Sequence, residues 1–326
     1  MLQKDLGFGW QRMKCPAGGR LFGSPFQRPA VGHSRLFRVN SKSDDGEDSA
    51  QRKVTKLEGI IKRKKEKIEG LLTSMGEEAL DERLQSATQQ GASPNAFAFS
   101  TRVAEVGMIE GRPLLIFEVA RRDPSEPSEM VAERARKLVQ AGADSISVRT
   151  DEESSPEGEK DLFFVCRACP DVPVFCRDWF LHPIQIVEAK SAGCTGILGI
   201  VASITSRGSA VLSSFGAALG LDCPVEIVNL SEKTAMEQLM VPFYCMDISV
   251  SLSLGIPGFQ DDVIGGLLQE LPFGSLSIVG IRDINGARKV REYGADGIYV
   301  KREIIDRHDG DELSLVTSIK SLVDGD

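Results

Sequence analysis

Residues 113–150, "PLLIFEVARRDPSEPSEMVAERARKLVQAGADSISVRT", carry the reading that decides the fold. Leu114 to Val119 form a short, almost continuous apolar run, the pattern of a strand covered on both faces. Charge and proline follow at Arg121, Arg122, Asp123 and Pro124. Residues 127–143 then place apolar side chains at helical spacing and close on Gly142. "DSISVRT" is a second strand. Parallel strands need a crossover, and strand–helix–strand is the unit that supplies one.

The same beat continues outward. "VPVFCRD", "TGILGIVA", "CPVEIVN", "PFYCMDIS", "GSLSIVGI" and "ADGIYV" read as strands. Helical stretches such as "HPIQIVEAKSAG", "SAVLSSFGAALG" and "ELSLVTSIKSLV" alternate with them. "AGAD", "AGCT" and "YGAD" each place a helix-ending glycine, suited to the left-handed conformation, just before a strand. Eight βα units over roughly 225 residues predict a (β/α)8 TIM barrel over residues 96–326. A doubly wound sheet is the alternative, but no G-x-G-x-x-G follows the first strand.

Composition narrows the class. The 326 residues are 41% hydrophobic, enough for one large core. The net charge of −8 gives no general attraction to nucleic acid or anionic membrane, and no apolar run is long enough to span a bilayer. Seven cysteines without a pattern argue against a disulfide framework and for a reducing compartment. "CRAC", Cys166 to Cys169, has metal spacing but no second pair follows, so ordinary buried thiols are expected and neither metal nor cofactor.

The N-terminus reads differently. Lys4, Arg12, Lys14, Arg20, Arg28, Arg35 and Arg38 stand against one acid, Asp5, with no apolar h-region. This predicts an organelle transit peptide and an acidic spacer over residues 1–48, with the plastid stroma as destination and the mitochondrion as alternative. A plain disordered tail is the blander reading. Residues 49–95 are expected as a helical extension. In "RKVTKLEGIIKRKKEKIEGLL", 52–72, Val54, Leu57, Ile60, Ile61, Ile68, Leu71 and Leu72 recur at helical spacing, the mark of a helix docked by one stripe.

Barrel chemistry sits where strands end and βα loops begin. The residues to interrogate are therefore Glu118 to Pro124, Arg149, Arg177, Asp178, Ser203, Glu226, Asp247, Val279, Gly280, Lys301 and Arg302. His182, before Pro183, and Asp283, before Ile284, read as helix caps.

Those strand ends resemble indole-3-glycerol-phosphate synthase, a tryptophan-biosynthesis lyase with a ribulose-phosphate-binding barrel. "KLEGIIKRKKEKIEGL" is similar to the family's N-terminal helix, which helps cover the site. "FEVARRDPS" resembles A-E-I-K-R-A-S-P-S, "ISVRTDEE" resembles S-V-L-T-D, and "FCRDWF" with "IQIVEAKSAGCT" resembles the third-strand region. "CPVEIVNLSE" is similar to L-V-E-V-H, and "SIVGIRDINGARKVREYGADGIYVKREII" to S-E-S-G-I through the last strand. The family closes a ring on an anilino-deoxyribulose phosphate with loss of carbon dioxide and water. The resemblance therefore implies proton donors near the substrate carbonyl and hydroxyl, and a carboxylate near the developing iminium.

Departures fall on those groups. The first-strand lysine falls on Ala120 and the third-strand lysine on Arg177, which stays protonated and is a poor general acid. The S-E-S-G-I glutamate falls on Ile278 and its second serine on Val279. The sixth-strand Asn pair is replaced around Met246 and Asp247, and the last-strand Gly-Ser by Lys301 and Arg302. What the resemblance leaves is Glu118, Glu226 and Arg177 as catalytic positions, with Arg121, Gly280, Lys301 and Arg302 as substrate- or phosphate-binding positions. A structural reading stands beside this: Glu118 and Glu226 pair with Arg121 and Arg177, and Lys301 and Arg302 are rim charges.

The expectation is a divergent, non-catalytic homologue, structural or regulatory, within a plastid protein assembly. The alternatives are an active carboxy-lyase of this type, with Arg121, Arg122, Arg177 or Lys301 compensating, or a barrel that binds another sugar phosphate.

Overall fold

The structure, a computed structural model, describes residues 45–90, 95–151, 155–247, 261–308 and 311–324. The predicted transit segment, 1–40, lies outside the described residues. Among those described, nine parallel strands form one sheet. They are β1 (Leu114–Val119), β2 (Ser145–Arg149), β3 (Val174–Arg177), β4 (Gly196–Leu198), β5 (Ile200–Val201), β6 (Val225–Glu226), β7 (Phe243–Met246), β8 (Leu276–Gly280) and β9 (Gly297–Val300).

Their order, β4-β3-β2-β1-β9-β8-β7-β6-β5, begins and ends with the two pieces of one expected strand. Eight beats in the sequence thus become nine strands because Gly199 breaks the fourth. Gly199 sits at φ 113°, and a Cβ there would lie 1.6 Å from the Asp178 carbonyl oxygen. With β4 paired to β3 and β5 to β6, the sheet closes through this glycine into the (β/α)8 barrel. Gly142, Gly193 and Gly294, the glycines of the three recurring tetrapeptides, all have positive φ, as expected of helix C-terminal caps.

The helices are α1 (Asp45–Met75), α2 (Glu77–Gln89), α3 (Ala98–Ile109), α4 (Ser128–Ala141), α5 (Gly158–Ala168), α6 (Pro183–Ala192), α7 (Ser206–Ala218), α8 (Leu230–Gln238), α9 (Asp261–Gln269), α10 (Gly286–Glu292), α11 (Arg302–Asp306) and α12 (Glu312–Asp324). None is long and apolar enough to cross a membrane among the described residues. α1 begins inside the stretch expected as a spacer. Ile68 is buried, and Leu71, Leu72 and Met75 pack on the main core, the docking stripe that the spacing predicts. Lys64, on the same stripe, reaches Asp178 beyond β3 at 2.5 Å.

Strand alternation divides the core in two. One set of side chains, including Val119, Ile146, Val148, Val225 and Ile298, packs outward with the surrounding helices. The other, including Leu114, Ile116, Phe175, Leu198, Phe243, Ile278 and Tyr299, fills the barrel interior. α3 was not among the elements expected, and it closes the base of that interior. Its Phe99 lies against Phe175 edge-on at 5.2 Å and is stacked on Phe243 at 5.8 Å. Asp222 holds the start of α3, accepting from the backbone N–H of Phe99 at 2.9 Å and from the Ser100 hydroxyl.

Candidate functional site

The inward parity of β1 runs Leu114, Ile116, Glu118, so the strand delivers a carboxylate to the barrel mouth. Glu118 is 1% exposed. It forms an ion pair with Arg149, from the end of β2, and accepts a hydrogen bond from the Tyr299 hydroxyl on β9. Arg149 continues to Glu303 at 3.3 Å. Burial opposes the Arg149 charge, but Glu118, Tyr299 and Glu303 together outweigh it and hold the guanidinium above its usual pKa. Burial, with Glu118 beside it, pushes the Tyr299 phenol well above the ordinary tyrosine range.

Across the barrel the end of β6 supplies Glu226, also 1% exposed. It pairs with Arg177 from β3. Arg177 lies 3.5 Å from Asp247, just beyond β7, and Asp247 pairs with Lys301, just beyond β9. Burial raises the Glu226 carboxyl against the pull of Arg177. Burial likewise opposes the Arg177 charge, yet Glu226, Tyr299 and Asp247 hold it well above the usual arginine value. The mouth therefore sets three carboxylates, Glu118, Glu226 and Asp247, against three cations, Arg149, Arg177 and Lys301. Chemically this is a closed set of charges. A guanidinium held above its ordinary pKa transfers no proton near neutrality.

The structure sorts the sequence candidates clearly. Glu118, Arg177, Glu226 and Lys301 meet at the mouth, and Arg177 pairs with Glu226 as the structural reading expects. Glu118 pairs with Arg149, however, not with Arg121. Arg121 leaves the mouth: its guanidinium is buried against Asp161 and Glu157, each at 2.8 Å, and Ser128 at 3.1 Å. Residue 121 lies beyond the strand, where the chain turns toward α4, so it serves the packing of that loop on α5. Lys301 is 8% exposed and directed to Asp247, so it is no solvent-facing rim charge. Arg302 opens α11 and pairs with Asp306 at 2.9 Å. Gly280 backs onto Asp247: a Cβ there would meet its Oδ1 at 3.0 Å. Ala120 is buried, and the cavity beside it and Glu118, of about 10 Å³, is of single-water size.

His182 caps α6, its Nδ1 accepting from the Ile184 N–H at 3.2 Å. Asp283 accepts from the Gly286 N–H at 3.1 Å at the start of α10. Burial pushes the thiols of Cys166 and Cys169 up to about 12 and about 11. Tyr299 and Lys64 were missed as site-region residues. Tyr299 is two positions before Lys301, on the same inward parity of β9, and Lys64 falls on the docking stripe of α1.

With this geometry in place, comparison with known proteins assigns the chain. The family profile described as indole-3-glycerol phosphate synthase matches residues 57–244. The chain belongs to the indole-3-glycerol phosphate synthase family. The match ends inside β7, so Asp247, Ile278, Val279 and Lys301 lie beyond it. The indole-3-glycerol phosphate synthase of Rhodospirillum rubrum is 33% identical over 147 residues, 43% of this chain and 53% of that protein. That of Opitutus terrae is 29% identical over 212 residues, 59% of this chain and 74% of that protein. Thus the chain spans about half the length of the first relative and three quarters of the second. A tryptophan synthase structure from M. tuberculosis shares the fold at TM-score 0.51 and 14% identity, over 71% of this chain and 98% of that one.

Proposed function

We propose that this member of the indole-3-glycerol phosphate synthase family no longer catalyses ring closure. On this reading its barrel serves as a structural or regulatory component in an organelle, the plastid stroma first. The observation that carries it is the conjunction at the mouth. Ala120 stands where the family motif has its first-strand lysine, and both retained glutamates are engaged by arginines, Arg149 and Arg177. Removing one positioned acid typically slows a reaction by about a hundredfold to ten-thousandfold. The basic, acid-poor residues 1–40 support the organelle.

The test is direct. Purified protein mixed with the anilino-deoxyribulose phosphate should release no indole-glycerol phosphate above the enzyme-free background. The chain without its first forty or so residues should fail to rescue a tryptophan auxotroph lacking the synthase. Turnover that disappears in Glu118→Gln or Glu226→Gln would sink the proposal. A reporter fused to residues 1–44 should enter plastids, and retention in the cytosol would remove the localisation.

Lys301 favours a second reading, a barrel that still holds a sugar phosphate. Its ammonium stands at the strand end where the family motif has Gly-Ser, and an anion competing with Asp247 for it gains a charge-assisted contact. Inorganic phosphate should then raise the Tm of the wild type and not of Lys301→Ala. Equal Tm values with and without phosphate would count against it.

A further inference from the structure

On the outside of the barrel, α4 and α5 leave a hollow of about 480 Å³ between them. Two small residues line it, Ala132 of α4 and Ala168 of α5. Phe163 lines the same hollow and is 42% exposed, with Phe164 edge-on to it at 6.0 Å. One continuous face thus carries an aromatic knob and a hole beside it. Each is unfavourable in water, the ring for its exposed apolar area and the hole for its missing contacts. A single contact that fills the hole and covers the ring relieves both.

Four charged residues line the hollow, two of each sign. Glu133 and Arg136, one turn apart on α4, are paired with each other. That leaves Glu129 and Arg167. Neither has an ion-pair partner among the described residues, and Arg167 lies over the Phe163 ring, 5.3 Å from its centroid.

The two helices run side by side in the same direction. Arg121 bonds both Ser128 of α4 and Asp161 of α5. Further down, Arg136 of α4 draws down the Cys169 thiol against burial. Residue 128 is therefore level with 161, and 136 with 169. Glu129 is then level with Leu162, and Arg167 is rooted roughly 7.5 Å further from the mouth. The uncommitted acid sits toward the mouth, and the uncommitted base toward the other end.

A second copy of this chain fits that face. A two-fold axis through it sets the helices of the two copies antiparallel. Glu129 of each copy then meets Arg167 of the other, and each Phe163 stands over the other hollow. Isologous contacts require a patch complementary to itself in this way. The balanced lining also spares the contact the local repulsion that a chain of net charge −8 otherwise brings to its own image. An anionic membrane or nucleic acid finds no basic excess in it.

We infer that the α4–α5 face is a two-fold interface between copies of this chain, with Phe163 of each copy in the hollow of the other and Glu129 paired to Arg167 across the axis.

Sedimentation of the full-length chain over a concentration series tests this. The wild type should pass from monomer to dimer as concentration rises. Phe163→Ser, Glu129→Arg and Arg167→Glu should each weaken the dimer about tenfold or more, as loss of an interface anchor does. All three positions are exposed, so the fold should survive, and an unchanged circular dichroism spectrum checks it. The decisive sample is an equimolar mixture of Glu129→Arg with Arg167→Glu. Alone, each variant sets like charges across the axis. In the mixed dimer both pairs are again of opposite sign, one reversed and one native. The mixture should therefore dimerise more tightly than either component, a rescue that a folding defect cannot produce. A wild type that stays monomeric, a dimer that all three variants leave intact, or a mixture no tighter than its components overturns the inference.

Discussion

At the mouth of the barrel Glu118, Glu226 and Asp247 lie buried against Arg149, Arg177 and Lys301, whereas at the base Ile109, Met240 and Phe273 stand in water. The usual division of a TIM barrel gives the mouth to chemistry and the base to stability. Here the mouth pairs its buried charges, and the base holds the three most exposed large apolar side chains of the described residues. The same strands produce both ends. The difference lies in the residues placed one step beyond the strand at the mouth and just before it at the base.

The largest expected effect breaks the mouth. Arg177→Met leaves Glu226 buried without its cation, which typically costs about 3–5 kcal/mol. Adding Glu226→Leu removes the stranded charge, so the double variant should be more stable than the single one. Urea melts of both measure this. A double variant as unstable as the single would mean that the mouth pairs are not internal structure and that the closed-charge reading is wrong.

An intermediate effect tests the base. Burial pushes Asp222 from 3.8 to about 6, opposed by its hydrogen bonds from Ser100 and Phe99. A raised carboxyl favours the protonated form in the fold. Its stabilising contribution is thus complete below pH 3.8 and lost as pH rises through about 6. Each tenfold change in proton affinity between folded and unfolded chain is worth about 1.4 kcal/mol. Against Asp222→Asn, which does not titrate, the wild type should therefore lose roughly 2–3 kcal/mol over that window. Stability curves that stay parallel with pH would show that Asp222 does not couple the α3 plug to protonation.

The smallest effect sharpens the contrast. Met240 follows α8 at φ 59°, the left-handed conformation. Met240→Gly relieves that strain, partly offset by the greater freedom of glycine in the unfolded chain, and should stabilise the protein by about 0.5–1 kcal/mol. At the mouth no such gain is available, because each charged residue there already has a partner. A destabilised Met240→Gly variant would mean that Met240 supports the isolated fold.

Much of this architecture follows from sequence alone. Alternating apolar runs and amphipathic stretches, punctuated by Gly142, Gly193 and Gly294, specify the βα beat, because strand and helix periods and left-handed caps are local properties. The same parity marks Glu118 as a strand-end carboxylate. Which cation meets it is a tertiary matter. Arg121 is three residues from Glu118 but turns away to Asp161, while Arg149 arrives from the neighbouring strand, in a register where Glu118 faces Ser147. The docking of Lys64 on Asp178, the plugging of the base by Phe99 and the closure at Gly199 are of the same kind. Each joins residues distant along the chain, and such encounters are fixed only when the barrel closes and decides which side chains share an interior.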